Sequence, residues 1–199
     1  FKGEEDRFIY SRFTNPTVGM FEERMALLEN AKACWATSTG MAAVNAALIA
    51  SLKSGDRLVA SKALFGSCDY ICRDLLPRFG VETVMVNGTD LDEWEAALRH
   101  PTAAVFMETP SNPQLDIIDL TEVSKIAHKA GARVIVDNVL ATPVLQKPLE
   151  LGADVVVYSA TKHIDGQGRA MGGCVLTDDL DWSNGDLKQY SSSSFFNRN

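Results

Sequence analysis

No stretch of this sequence is both long and apolar enough to cross a membrane as a helix. The nearest candidate, "AAVNAALIASL" (42–52), is too short and carries the polar Asn45. A basic excess is also missing: 19 Lys and Arg stand against 26 Asp and Glu, a net charge of −7. The electrostatic footprint of a nucleic-acid binder is therefore absent. Cysteine is scarce, and Cys34, Cys68, Cys72 and Cys174 form no Cys-x-x-Cys pair. Cys68 and Cys72 would share one face of a helix, but no histidine or second cysteine pair accompanies them, so no metal site is expected. Reduced, buried thiols in a cytoplasmic enzyme are the expectation. No signal-peptide pattern follows Phe1, and a chain that opens without Met reads as a piece of something longer. Internal repeats are lacking, and the one low-complexity run is "SSSS" (191–194).

What is present is an alternation. "RLVAS" (57–61), "VETVMV" (81–86), "AAVFMET" (103–109), "ARVIVDN" (132–138) and "ADVVVYS" (153–159) are short, β-branched and apolar on both faces, as buried strands are. Helical patterns lie between them. "GMAAVNAALIASLKSG" is expected to end at Gly55, "DLDEWEAALRH" before Pro101, and "DLTEVSKIAHKAG" to run from an Asp119 cap to Gly131. The chain has 199 residues, 46% of them hydrophobic, enough for one substantial core. Repeated strand–helix–strand units predict an α/β fold with a mostly parallel sheet sandwiched by helices. Only about a dozen residues, two of them glycine, separate the strand ending near Tyr158 from "GGCVL" (172–176). That is marginal for a parallel crossover, so an antiparallel return is expected, with a loop carrying Lys162.

In such sheets ligands sit beyond the carboxyl ends of the strands, and each end carries a candidate. After "CWATS", Thr39-Gly40-Met41 opens a helix whose N–H groups favour an anion, or is simply a turn. After "RLVAS", Phe65 is either a ring that stacks on a flat ligand or a core aromatic. After "AAVFMET", Asn112 sits between two prolines that fix its turn, as a ligand contact or a turn former. Asp137 ends an apolar strand, which costs desolvation unless it is paired. It could bind a metal, cap a turn through Asn138 or stabilise a protonated ring nitrogen. After "ADVVVY", Ser159 and Thr161 offer hydroxyls to a phosphate. Lys162 is either a surface residue or an amine whose burial lowers its pKa, poised to form a Schiff base. Tyr158-x-x-x-Lys162 also matches a reductase proton-delivery pair, although the single glycine in "TSTGMAA" is not a dinucleotide fingerprint. A phosphate site, a stacking ring, an acid for a ring nitrogen and an amine for an aldehyde are together the needs of pyridoxal 5'-phosphate.

"YSRFTNPT", "ATSTGMAA", "GDRLVASKALFGS", "ETPSNP", "VDNVLATP" and "YSATKHIDGQGR" resemble the Cys/Met-metabolism family of PLP-dependent enzymes, of the aspartate-aminotransferase-like type I fold. "LFGSC" and "YSATKHIDGQG" are most similar to its O-succinylhomoserine sulfhydrylase branch. The resemblance implies that Lys162 is the Schiff-base lysine and proton carrier, and that Asp137 holds the pyridinium nitrogen. It implies that Thr39, Gly40, Met41, Ser159 and Thr161 bind the phosphate, that Phe65 stacks on the ring, and that Asn112 lies near the ring hydroxyl and the substrate carboxylate. Tyr10 and Arg12, in an N-terminal arm over 1–18, would reach a neighbouring subunit's cofactor, so a homo-oligomer, a dimer of dimers, is expected. The implied reaction converts O-succinylhomoserine and sulfide to homocysteine in methionine biosynthesis. Cystathionine γ-synthase and the cystathionine or methionine γ-lyases of the same family are the alternatives. Phe65 stands where most relatives have tyrosine, which favours the sulfhydrylase. Residues 19–199 would be the PLP-binding large domain, truncated on its C-terminal side and without the C-terminal domain. An inactive fragment is the reading of a different class.

Overall fold

The computed structural model describes residues 10–11 and 15–188. Seven strands form one sheet: β1 Ala33–Thr37, β2 Arg57–Ser61, β3 Glu82–Val86, β4 Ala104–Glu108, β5 Arg133–Asp137, β6 Val155–Ser159 and β7 Gly173–Thr177. Their spatial order is β1-β7-β6-β5-β4-β2-β3. The pairings β3–β2, β2–β4, β4–β5 and β5–β6 are parallel, and β7 runs against both of its neighbours. Each anticipated strand forms, and the antiparallel return after Tyr158 is β7.

The helices are α1 Pro16–Glu29, α2 Gly40–Ser51, α3 Gly66–Tyr70, α4 Leu76–Arg78, α5 Leu91–Ala97, α6 Leu120–Lys129, α7 Thr142–Leu145 and α8 Leu180–Trp182. α3 continues through a widened turn, Ile71–Leu75, into α4, where Pro77 cannot donate to the carbonyl four residues back. α6 begins and ends as its sequence predicts. The Asp119 carboxylate accepts the Glu122 N–H at 3.1 Å, and Gly131 takes φ +76° just past the last turn. α2 does not reach Gly55. It stops at Ser51 because Leu52 is extended, and Gly55 instead turns the chain into β2 with φ +91°. α1 begins at Pro16, capped by the Asn15 side chain, so the last positions of the expected arm are its first turn.

Strand side chains alternate between two apolar layers, as a period of two requires. Ala60, Phe106, Ile135, Val155 and Val157 pack under α2, α3 and α8. Val59, Val105, Met107, Val134, Val136, Val156 and Tyr158 pack under α1, α5 and α6. Continuing the alternation puts Glu108, Asp137 and Ser159, the last residues of β4, β5 and β6, on the α2 side.

β1 and β6 are separated by β7, so the turn from β1 into α2 must pass over the start of β7. Two glycines permit it. Gly173 pairs with Thr37 on one side and Ser159 on the other, and a Cβ there would lie 2.4 Å from the Thr39 carbonyl oxygen. A Cβ on Gly40 would lie 2.5 Å from Cβ of Ser159. We expect Gly173→Ala to destabilise the protein by about 1–3 kcal/mol, because the clash is with backbone and no rotamer relieves it. Gly185→Ala, a helical position with nothing within 4 Å, should be neutral or stabilising. Urea midpoints measure both; equal midpoints would show that the crossing is not tight.

Candidate functional site

The carboxyl ends of β2, β4, β5 and β6 and the start of α2 surround a cavity of about 350 Å³. Thr39, Gly40, Met41, Phe65, Asn112, Asp137, Ser159, Thr161 and Lys162 line it, so nine candidates scattered over 124 positions of sequence meet at one place. Tyr10 is exposed and lies away from this lining, and Arg12 falls outside the described residues.

One end of the cavity suits an anion. The Thr39 hydroxyl caps α2 by accepting the Ala42 N–H at 2.9 Å, and the Thr39 carbonyl accepts from Ala43. The N–H groups of Gly40 and Met41 come before any intrahelical acceptor, so they are left for a ligand. Ser159 faces them, and its hydroxyl has no protein partner among the described residues. Thr161 is more committed: its hydroxyl donates to the Gly172 carbonyl at 3.3 Å and accepts the Gly172 N–H at 3.2 Å.

The floor is acidic. Asp137 is 7% exposed, and its carboxylate accepts the Val139 N–H at 3.0 Å, not that of Asn138. Burial raises its pKa to about 6, against the pull of that hydrogen bond. Glu108 stands beside it in register on β4 and is raised to about 7, by burial first and by the Asp137 charge second. The Cys68 thiol, 3.9 Å from the Met41 sulfur, is also pushed up by burial and by these two acids. Phe65 is 44% exposed, a ring on the cavity wall and not a core aromatic.

Of the two readings of Lys162, a surface residue or a buried amine, the structure shows an exposed one. It is exposed on the cavity's rim, in a turn that leaves the sheet after Ser159. The glycine-rich return behind it is held by its own hydrogen bonds, since the Asp165 carboxylate accepts N–H bonds from Gln167 and Arg169 and Gly166 N–H donates to the Lys162 carbonyl. Tyr158 points into the opposite layer. Its hydroxyl donates to Glu29 on α1 and accepts from Asn138 at 2.6 Å. Strand alternation thus separates Tyr158 from the cavity that Lys162 lines, and the reductase pairing has no geometry to act.

A helix start for an anion, a buried acid, a wall ring and an amine at the mouth can hold a flat anionic carbonyl compound. The sequence also matches the description "Cys/Met metabolism PLP-dependent enzyme" over residues 1–194. The chain belongs to the Cys/Met metabolism PLP-dependent enzyme family. It is 58% identical over 178 residues to an O-succinylhomoserine sulfhydrylase of Mycobacterium tuberculosis (strain ATCC 25618 / H37Rv), an alignment covering 89% of this chain and 44% of that protein. It is 46% identical over 176 residues to an L-methionine gamma-lyase of Fusobacterium nucleatum subsp. polymorphum, covering 88% and 45%. A cystathionine gamma synthase from Xanthomonas oryzae pv. oryzae, solved in complex with aminoacrylate and cysteine, superposes with a TM-score of 0.91 at 36% identity, covering 96% of this chain and 49% of that one. The chain therefore spans less than half the length of these relatives. Pyridoxal 5'-phosphate is the cofactor of the family.

Sequence reasoning missed Glu108, Ser67, Cys68 and Met171 in the lining. The criterion that singled out Asp137, an acid closing an apolar strand, applies equally to "AVFME" and would have found Glu108.

Behind the cavity a buried polar chain joins Glu29, Tyr158, Asn138 and Gln146, whose amide donates to the Thr109 carbonyl at 2.8 Å. Burial raises Glu29 from 4.5 to about 7. Glu29, Glu108 and Asp137 thus keep their protons to higher pH in the folded chain than in the unfolded one. The stability they contribute is full below the unfolded values and falls as pH rises toward 6 to 7. Glu29→Gln should remove its share of that slope, on the order of 1–2 kcal/mol between pH 5 and 7. Urea unfolding of the cofactor-free protein across that range is the measurement, and an unchanged slope would refute the assignment.

Proposed function

We propose that the protein carrying this chain catalyses γ-replacement on an O-acylhomoserine, taking O-succinylhomoserine and sulfide to homocysteine and succinate. One observation carries the reading: a single cavity lined by the start of α2, Phe65, Asp137 and Lys162. The relatives named O-succinylhomoserine sulfhydrylase, and Phe65 in place of tyrosine, favour replacement over elimination.

The residues present fit pyridoxal 5'-phosphate. Gly40 and Met41 N–H groups and the uncommitted Ser159 hydroxyl would hold the phosphate, with Thr39 keeping the helix start in place. Thr161 would anchor the Lys162 loop, and it reaches the phosphate only by giving up its bond to the Gly172 carbonyl. Asp137, whose one protein donor among the described residues is Val139 N–H, would face the pyridinium nitrogen, and that proton would keep its carboxylate ionised. Phe65 would stack on the ring, and Asn112 would lie by the ring hydroxyl and the substrate carboxylate. When bound, the cofactor supplies an electron sink that acidifies the substrate's α and β C–H bonds. Lys162 Nζ would hold the cofactor's aldehyde carbon and, once freed by the substrate amine, would accept the α-proton, pass that proton on, and only then, neutral again, accept a β-proton. Its exposed place on the rim leaves it free to move between these atoms. In the net reaction the Cγ–O bond breaks, succinate leaves, and sulfide forms the Cγ–S bond. We further assign Tyr10 and Arg12 to the phosphate of a neighbouring subunit, in a cytoplasmic dimer of dimers.

Borohydride reduction of the full-length protein, followed by peptide mapping, should place the pyridoxyl mass on Lys162. Lys162→Ala should lower turnover by a factor on the order of 1,000. With O-succinylhomoserine as substrate and sulfide and cysteine in competition, homocysteine should exceed cystathionine. Trapping on another lysine overturns the site. Predominant cystathionine, or faster cleavage of methionine, transfers the reading to the γ-synthase or γ-lyase.

A further inference from the structure

Phe65 is poorly secured by its own neighbourhood. It is the N-cap residue of α3 but makes no side-chain capping bond, and its ring is 44% exposed. Its backbone N–H instead donates to Oε2 of Glu108 at 2.7 Å, across 43 positions of sequence. The backbone N–H of Asn112 also lies near enough to the same carboxyl to favour its charged form. Glu108 is 3% exposed and ends β4, the strand between β2, which leads into the Phe65 turn, and β5, which ends in Asp137. One buried carboxyl therefore bonds the turn that delivers the ring and stands beside the turn that delivers the amide.

We propose that Glu108 is a positioning residue for the cofactor site: its carboxyl clasps the Phe65 turn to the end of β4, and so sets where the ring stands. The inference rests on the cofactor reading above. The titratable groups around it are Asp137 on β5, Cys68 on α3 and Lys162 after β6, all lining the same cavity. None of them bonds the Phe65 N–H, so the clasp has no substitute among the described residues. A second carboxylate beside Asp137 is an electrostatic cost, so the reach of this side chain, and not its charge, is what the site uses.

Two conservative variants separate reach from charge. Glu108→Gln keeps a carbonyl acceptor at the same reach and removes the charge. Glu108→Asp keeps the carboxyl and withdraws it by one methylene from the Phe65 N–H. In the full-length protein, Glu108→Asp should weaken pyridoxal phosphate affinity about tenfold, the effect of losing one hydrogen bond. It should also speed hydrogen exchange at the Phe65 amide and reduce the circular dichroism of the cofactor's visible band. Glu108→Gln should stay within about threefold of wild type in affinity and retain amide protection. Any other ranking overturns the proposal: a more damaging Gln variant would make the charge the working feature, and two neutral variants would make the clasp idle. The exchange measurement also runs on cofactor-free protein, so it tests the clasp even if Lys162 is not the residue trapped by borohydride. Trapping on Lys162 with unchanged exchange in the Asp variant would remove the clasp alone.

Discussion

The turn between β1 and α2 crosses the first residue of β7 with no room for a side chain at either contact. Gly173 meets the Thr39 carbonyl, and Gly40 meets Ser159. This crossing brings the start of a twelve-residue helix to the end of a strand two places away in the sheet. The anion end of the cavity exists because of it. The antiparallel β7 is the other half of the arrangement. Its return delivers Gly172 to Thr161, whose hydroxyl ties down the loop carrying Lys162.

Around that crossing the site is a matter of strand parity. Parallel strands bring their carboxyl ends to one edge of the sheet, and alternation decides which of the last two residues faces which layer. Glu108, Asp137 and Ser159 face α2 and the cavity. Asn138 and Tyr158, one step out of phase, form the buried polar chain with Gln146 and Glu29 on the other side, and Gln146 ties it to the Thr109 backbone carbonyl. The floor of the cavity is thus backed by a hydrogen-bonded layer, with packed apolar residues beneath it, and the acids have little freedom to move away from one another. That constraint keeps a carboxyl such as Asp137 dehydrated enough to respond strongly to a neighbouring proton donor.

Much of this was legible from residues alone. The five buried strands, the antiparallel return and the Asp119-to-Gly131 helix all follow from local periodicity and capping, and local chemistry governs them in the fold. The acid, the ring and the lysine that line the cavity were singled out by a rule of position, namely which residue closes or follows each strand. What stayed open or was missed shares a cause. Lys162 was open between a surface residue and a buried amine, and one turn carries it out to the rim. Of the three readings of Asp137, the cap through Asn138 fails because the turn offers Val139 N–H instead. Glu108 satisfied the same rule as Asp137 and was passed over, because its importance depends on the Phe65 turn, which lies 43 positions away.

The sequence by itself determined the buried strands, most of the long helices' bounds (the end of α2 excepted) and the kind of chemistry each strand end can carry, because propensity, capping and the period of two act over a few residues. It also carried the family, through six short stretches. The tertiary structure alone decided which ends are neighbours. The strand order sets Asp137 between Glu108 and Ser159, a glycine crossing joins β1 to β6 over β7, and parity sends Tyr158 away from Lys162 although only four positions separate them. These outcomes come from packing two layers against one sheet, and no local segment contains that information.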